Sequence, residues 1–562
     1  MNKKWEYYVC DQDKVNEISK KFDIDRLLAT ILVNRGICKE DEIRKFLEPT
    51  REDFHDPFLL PDMDIAVDTI IKAIEEKENI LIYGDYDVDG ITSISVLQKF
   101  LEERGMNVAN HIPNRLEEGY GLNKEAIKQI ADDGYKLIIT VDCGISGIEE
   151  IEYANSLGIR TIITDHHEPL DELPKAIAVV DAKRKDNKYP FNQLAGVGVV
   201  FKLIQAIGIK LGLNEKEYLK YLDLVCVGTI SDIVPLVDEN RVIAKLGLKL
   251  VNVTRNLGLK YLLQATGYRQ IDSNAISFGI APRINACGRM GHETEALDIF
   301  LSNDIDEVKE LTEKLNNYNK TRQETEKKIV EEALELIEKN KENEKSAIVL
   351  GSSGWHHGVI GIVSSKITET YFKPSILVSF ENGIAKGSGR SIPGFDLHEA
   401  LCKSSKYLEK YGGHSMAVGL SLKEENFEAF KNEFEKIAKE SKVEEILPII
   451  YIDGVVKQED IKPEHIKELE KLEPFGEGNK MPLFAYKGLK INSIRALTEG
   501  KHLKLTLKDD NIIIDAIGFN MGHLVNDYLI GDKVDVVGVL EINSFNGIES
   551  VQINLKDIMK SI

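Results

Sequence analysis

From about residue 78 the chain alternates short Val/Ile-rich runs with amphipathic stretches. ENILIYG, KLIITVDCG, IRTIITDHH and AIAVVDAKR read as strands, with GITSISVLQKFLEERG and SGIEEIEYANSLG as helices among them. Parallel neighbours need crossover connections, so this alternation predicts a parallel sheet buried on both faces by helices. In such sheets chemistry collects beyond the carboxyl ends of the strands. Four acidic or histidine motifs are expected at such ends.

The remaining text divides into further domains, as a chain of 562 residues requires. Residues 1–75 read as a helical lead-in, carried by DRLLATILVNRGI and KEDEIRKFLEP and broken at Pro49 and Pro57. The first α/β domain is expected over 76–303. Residues 304–345 are rich in Glu and Lys, and Val308, Leu311, Leu315 and Tyr318 form a heptad-like stripe that Arg322 and Thr325 interrupt. This predicts a long helix joining two lobes; a solvated helix inside one domain is the alternative. A smaller α/β domain follows over 346–440, including a hairpin in KPSILVSFENGIAKGSGRS with a Gly/Ser/Arg loop. Five or so strands over 448–562 suit a small barrel. The fold class is α/β with a terminal β-barrel.

Composition narrows the function classes. Hydrophobic residues at 43% and charged residues at 29% exclude a disordered or fibrous chain. No run of 18 apolar residues predicts a membrane span. The segment MNKKWEYYVCDQDK carries no Sec-type signal. Cys10, Cys38, Cys143, Cys226, Cys287 and Cys402 show no CxxC spacing, which fits a reducing cytoplasm rather than a disulfide framework. The net charge of −21 argues against a polyanion partner on its face. A nucleic acid meets a local groove, however, not the sum.

The first motif, GDYDVDG, sets Asp85, Asp87 and Asp89 at alternate positions before a glycine that opens a helix. If the segment is extended, all three carboxylates share one side. They repel unless a cation lies among them. Asp142 follows in VDCG, then Asp165, His166 and His167 in TDHHE, then Asp232 in VGTISDIVPL. Oxygen ligands with one or two imidazoles suit Mn²⁺ or Mg²⁺. There are enough carboxylates for two ions sharing an Asp, an arrangement that clamps a phosphorus centre. Separate helix-capping aspartates are the plain alternative.

These motifs resemble the DHH phosphoesterase superfamily, and within it the single-strand-specific exonucleases. NRGI, EGYG, GTISDIVPL, RINACGRM, WHHGVIGIV, GSGRS and GGHSMAVG extend the likeness over nearly the whole chain. The resemblance implies a parallel-sheet DHH domain, a linking helix, a DHHA1 domain and an OB fold. It implies 5′→3′ hydrolysis of single-stranded DNA to mononucleotides with two Mn²⁺ or Mg²⁺ ions, in DNA recombination and repair. Asp87, Asp89, Asp142, His166 and Asp232 match metal ligands, with Asp142 and Asp89 the candidate bridges. His167 matches a histidine facing the scissile phosphate, and Asp142 and His167 stand as the catalytic pair. Asp85 and Asp165 match supporting carboxylates behind the ligands. Tyr83 departs from the pattern, because much of the superfamily has a histidine ligand there.

A 5′-phosphate needs its own pocket. GSGRS offers backbone N–H groups, Ser388 and Arg390 as a phosphate cradle. Arg115, Arg283, Arg289, His357 and His414 are further phosphate or DNA candidates, with His356 beside them. Surface salt bridges and loop-satisfied histidines are the alternatives. In the barrel, Phe475, Phe484, Tyr486 and Phe545 are candidate stacking platforms, and Lys501, His502, Lys504 and Lys508 a weak basic stripe. GVGVVF lacks the third glycine and preceding strand of a dinucleotide fingerprint, and Cys143 has no base motif to make it a nucleophile. The rival readings are a nanoRNase, cyclic-dinucleotide phosphodiesterase or pyrophosphatase on the same core, or a metal-dead DNA-binding scaffold. Single-strand-binding protein and a helicase are candidate partners of a monomer.

Overall fold

The computed structural model describes residues 3–115, 118–119, 121–509, 512–545 and 547–561. Tyr120 of the EGYG motif lies outside them. The chain forms two compact units, each built from segments distant in sequence. One comprises residues 1–63, 182–252 and 449–562; the other comprises 64–181 and 253–448. This grouping cuts across the linear division read from the sequence.

The second unit holds two sheets. Its parallel sheet runs Val108–His111, Ile80–Gly84, Leu137–Val141, Arg160–Thr164, Ala178–Val180 in spatial order. Ile80–Gly84 and Leu137–Val141 are buried at every residue, as continuous apolar runs covered on both faces must be. The edge strand Val108–His111 escaped the sequence reading because its residues, Val-Ala-Asn-His, are only partly apolar and half-exposed.

The helix Ile305–Lys339 is a single run of 35 residues. Its first half packs against the helices Leu257–Thr266, Ala281–Met290 and Glu293–Leu301. Its second half shares a core with Ile348, Leu350, Val359, Ile360 and Val363. The helix therefore joins two bodies of one unit. The second sheet has the order Lys410–Gly413, Ala417–Lys423, Ile384–Arg390, Ser375–Glu381, Ile348–Ser352. Its hairpin turns at Asn382 and Gly383, both at positive φ, the two-residue turn that this dipeptide favours.

In the first unit the N-terminal helices Gln12–Phe22, Arg26–Asn34 and Glu40–Leu47 are not a detached lead-in. Val15, Leu28 and Ile31 share one core with Leu489, Leu505 and Val536 of the barrel. The strand Lys4–Tyr7, which the sequence reading did not foresee, pairs in parallel with Ile449–Ile452. The barrel runs Phe484–Leu497, His502–Lys508, Ile513–Gly518, Ile548–Lys560, Lys533–Phe545, and closes back onto its first strand.

Phe484 and Tyr486 are buried in that core and Phe475 packs against it, so these three are not stacking platforms. The side chain of Phe545 lies outside the described residues. Leu503, Leu505 and Leu507 point inward, which turns His502, Lys504 and Lys508 outward.

Arg241 fastens the first unit across all three of its segments. Its Nε donates to Phe46 O at 2.6 Å, Nη2 to Glu473 O at 3.0 Å and Nη1 to Pro474 O at 3.5 Å, and its guanidinium lies 3.7 Å from the centre of the Phe46 ring. The side chain is buried, and burial lowers its pKa to about 9. Arg241→Ala would remove the donor from Phe46 O and Glu473 O, while Pro474 O keeps Asn479 Nδ2. We expect a loss of about 2–5 kcal/mol in chemical denaturation, read from the midpoint at unchanged slope.

Candidate active site

The loop after the first central strand folds tightly onto the helix it opens. Asp87 caps the helix Val88–Glu102, accepting from the N–H groups of Asp89 and Gly90 at 2.9 and 3.1 Å. A Cβ on Gly90 would sit 2.3 Å from Asp85 O, so only glycine permits this fold-back. The helix-capping reading is thus true of Asp87, but it does not replace ligation. Asp85, Asp87 and Asp142 bring one carboxylate oxygen each within 4.8 Å of one another.

A second group joins Asp142 to His166 and His167 within the same limit. His166 Nε2 lies 3.1 Å from Asp142 Oδ1 and 3.8 Å from Asp89 Oδ2. Asp142 therefore belongs to both groups. It holds φ at 58°, a left-handed conformation rarely adopted by a non-glycine residue. Strain of this kind gathers at functional sites.

Asp165 stands behind the histidines. Its Oδ1 accepts from His167 Nδ1 at 2.7 Å and from His166 N at 2.7 Å, and its Oδ2 from Ile145 N at 2.9 Å. Burial opposes its charge most strongly, but the bond and charge of His167, the Ile145 N–H and His166 together outweigh it and hold the carboxyl below its usual range. With Nδ1 bonded to this carboxylate, His167 Nε2 is the nitrogen left to face a ligand.

Asp85 differs from its expected supporting place, since it stands within the first group itself. Burial, with the Asp87 carboxylate beside it, pushes its carboxyl well above the usual range. Its Oδ1 is buried without a hydrogen-bond partner. A buried carboxylate oxygen facing two more carboxylates is the environment a hard cation relieves. The donor set, oxygen-rich with two imidazoles, fits Mn²⁺ or Mg²⁺.

Tyr83 is absent from both groups. Its hydroxyl donates to Gly121 O at 3.1 Å and accepts from Asn123 Nδ2 at 3.2 Å. Asp232 ends the helix Leu222–Ser231 in the other unit, so it follows a helix rather than the expected strand. Cys143 is buried, and burial pushes its thiol well up, which suits packing and not attack.

The phosphate candidates separate into those that gather and those that do not. Arg289 is half-buried, donates to Gly358 O at 2.9 Å, and has its pKa lowered to about 9 by desolvation and by Arg115, Arg322 and Arg390. Arg390 is likewise lowered by burial and by Arg115. It donates to Ser388 Oγ at 3.0 Å. The Arg115 guanidinium lies 4.9 Å from the centre of the Tyr86 ring. His357 falls to about 4 through burial, Lys386 and Arg115, so it is neutral at pH 7. Cations gathered in this way favour an anion among them.

The GSGRS segment is not a loop. It lies in the strand Ile384–Arg390, bonded on both sides, so its N–H groups serve the sheet and form no phosphate cradle. A Cβ on Gly389 would meet Val418 and Ile376 near 3 Å, which makes that glycine a packing residue. The contribution of the segment is Ser388 and Arg390 themselves, under Gly361 of the next helix.

Arg283 stands apart from the other arginines. It donates to Gly279 O, Asn316 Oδ1 and Ala265 O at 2.6, 2.6 and 3.3 Å. His356 caps the helix His357–Tyr371. His414 is exposed at a hairpin turn. Arg322 was missed; its only signal was that it interrupts the apolar stripe. It donates to Glu326 and Asn319 at 2.5 Å each.

Comparison with known proteins follows this geometry. The DHH family N-terminal domain matches residues 79–229, the DHHA1 domain 323–440 and the RecJ OB domain 452–557. The single-stranded-DNA-specific exonuclease RecJ of Bacillus subtilis is 40% identical over 560 residues, covering 99% of this chain and 70% of its own. The chain belongs to the RecJ family. RecJ of Thermus thermophilus is 34% identical over 513 residues, covering 91% of this chain and 73% of its own. The crystal structure of Thermus thermophilus RecJ in complex with Mn²⁺ superposes with a TM-score of 0.87 at 30% identity, over 100% of this chain and 80% of that one. Its complex with Mg²⁺ gives 0.81 at 29% identity, over 100% of this chain and 79% of that one. Within this RecJ-family site, Asp165→Asn would keep the packing but weaken the hold on His167 Nδ1. We expect Mn²⁺ affinity, measured by calorimetry, to fall about 10–100-fold with the fold unchanged by circular dichroism.

Proposed function

We propose that this chain degrades single-stranded DNA as a 5′→3′ exonuclease, releasing mononucleotides by two-metal hydrolysis in recombination and repair. The observation that carries the reading is Asp142. Two ligand groups meet on its carboxylate, one of carboxylates and one with His166 and His167. Divalent cations bound there would supply the Lewis acidity that activates water and offsets charge on phosphorus.

The chain's own residues divide the remaining work. Asp85, Asp87 and Asp142 hold one cation, and Asp142, His166 and His167 the other, with Asp89 beside His166. Asp232 enters on its motif alone. Asp165 fixes the His167 ring, so that Nε2 meets the cation or, when protonated, donates to the phosphate. Arg115, Arg289, Arg390 and Ser388 take the 5′-phosphate, which sets polarity and confines cleavage to the terminal nucleotide. A neutral His357 beside them adds a hydrogen bond without further repulsion.

The barrel's outward His502, Lys504 and Lys508 would track the backbone. Across the strand pair, Arg495 stands opposite Lys504 and Lys490 opposite Lys508. Asp515 offsets Lys504 at 2.8 Å, whereas Lys490 opposite Lys508 is a like-charge pair that favours a polyanion on that face. Among the described residues no helix is long and apolar enough to cross a membrane. Cytoplasmic location, a monomeric state and partnership with single-strand-binding protein or a helicase complete the proposal on family resemblance.

The test is a nuclease assay with Mn²⁺ on a single strand labelled at its 3′ end, beside a duplex and a 5′-blocked strand. We expect stepwise shortening of the free single strand alone. EDTA should abolish it, and Asp142→Ala should lower it by at least about 10³-fold. Equal cutting of the 5′-blocked strand would overturn the polarity. Turnover of only di- to pentanucleotides would replace the reading with a small-substrate phosphoesterase.

A further inference from the structure

We infer that Tyr268 and Phe278 form a stacking platform for a base of the single strand, a few nucleotides from the scissile bond. The inference rests on the exonuclease reading and adds a subsite to it. Phe278 is 72% exposed and Tyr268 46%. A single exposed aromatic needs no explanation, but two exposed rings on one short stretch of surface are a different matter. A Cβ on Gly279 would lie 3.2 Å from Tyr268 Cε2, so the Tyr268 ring rests on the residue that follows Phe278.

The backbone here is unusual. Ala275–Ile280 is a wide π-type turn running directly into the helix Ala281–Met290. Such turns are rare and occur most often at functional sites.

The charge beside the rings is positive. Arg283 bonds the carbonyl of Gly279 and lies within electrostatic reach of Tyr268. The three hydrogen bonds it donates leave part of a five-donor guanidinium for a phosphate. Arg269 is exposed beside Tyr268. Asp272, the nearby acid, is turned to the backbone and accepts from Ala275 N at 2.8 Å. Flat rings rimmed by arginine suit single-stranded nucleic acid, whose bases stack without regard to sequence.

The helix sets the distance. At its far end a Cβ on Gly288 would lie 3.2 Å from Tyr86 O, inside the GDYDVDG loop. Ten residues separate Gly288 from Phe278, about 15 Å of helix. A strand with at least ~3.4 Å between phosphates covers that span in at most about four nucleotides.

The test is kcat/KM for 5′-phosphorylated oligothymidylates of two to twelve nucleotides with Mn²⁺, for wild type, Phe278→Ala, Phe278→Trp and Tyr268→Ala. Wild type should gain sharply when the strand first reaches the platform. Phe278→Ala should lose about tenfold on strands beyond that length and nothing on the dinucleotide, and Phe278→Trp should restore the step. Equal loss at every length would mark a structural role and overturn the platform. So would a wild-type curve without a step, or a Phe278→Ala curve like wild type. Wild type inactive on every strand would overturn the exonuclease reading itself, and the platform with it.

Discussion

The site depends on the repulsion among carboxylates buried at the ends of parallel strands. Asp85, Asp89, Asp142 and Asp165 are all nearly inaccessible to water. An isolated buried carboxylate would take up a proton instead of keeping its charge. Asp165 avoids this through the hydrogen bonds it accepts, and its carboxyl stays low. For Asp85 the Tyr86 N–H and the charges of Arg115 and His167 do not offset burial and the Asp87 carboxylate, and its carboxyl rises. The contrast between two aspartates in one site separates a supporting role from a ligating one. Donors on the protein satisfy Asp165, whereas Asp85 faces the carboxylates of Asp87 and Asp142.

The same unit carries the opposite problem. Burial, with Arg115, Arg322 and Arg390 beside it, lowers Arg289, and burial with Arg115 lowers Arg390. Arg322 has Glu326 as a salt-bridge partner, at 2.5 Å. An anion-deficient group of cations and a cation-deficient group of carboxylates, held by one body, describe a phosphodiester from its two ends. On the proposed reading, the metal side would take the bond to be cut and the arginine side the terminal phosphate. The net charge of −21 carries none of this. It is set by exposed Glu and Lys on surfaces such as the helix Ile305–Lys339.

Much of this was legible because chemistry and backbone periodicity coincide. The central strands were readable from apolar runs buried on both faces, and the aspartates from their places at the ends of those runs. The hairpin was readable from Asn382-Gly383. What failed did so for identifiable reasons. GSGRS has the composition of a phosphate loop, but its glycines serve close packing within a strand, and composition does not distinguish the two. Arg283 is as basic as Arg289 and lies six residues from it. A helix turns roughly 100° per residue, so six residues leave the two about 120° apart, and only one faces the arginine group. The alliance of the N-terminal helices with the barrel rests on contacts more than 400 residues apart in sequence, such as Lys4 with Ile449. No local pattern records them.

The helix Ala281–Met290 shows how such separations become function. One end presses Gly288 against the loop that carries Asp85 and Asp87. The Arg289 guanidinium, next along, joins the phosphate-binding arginines. The other end begins in a π-type turn that leaves Phe278 in solvent. A regular helix has a fixed rise, so the cut, the terminal phosphate and the aromatic surface are held at set spacings by one rigid element. Binding energy gathered along the strand can then position the bond to be broken, because no flexible segment intervenes to absorb it.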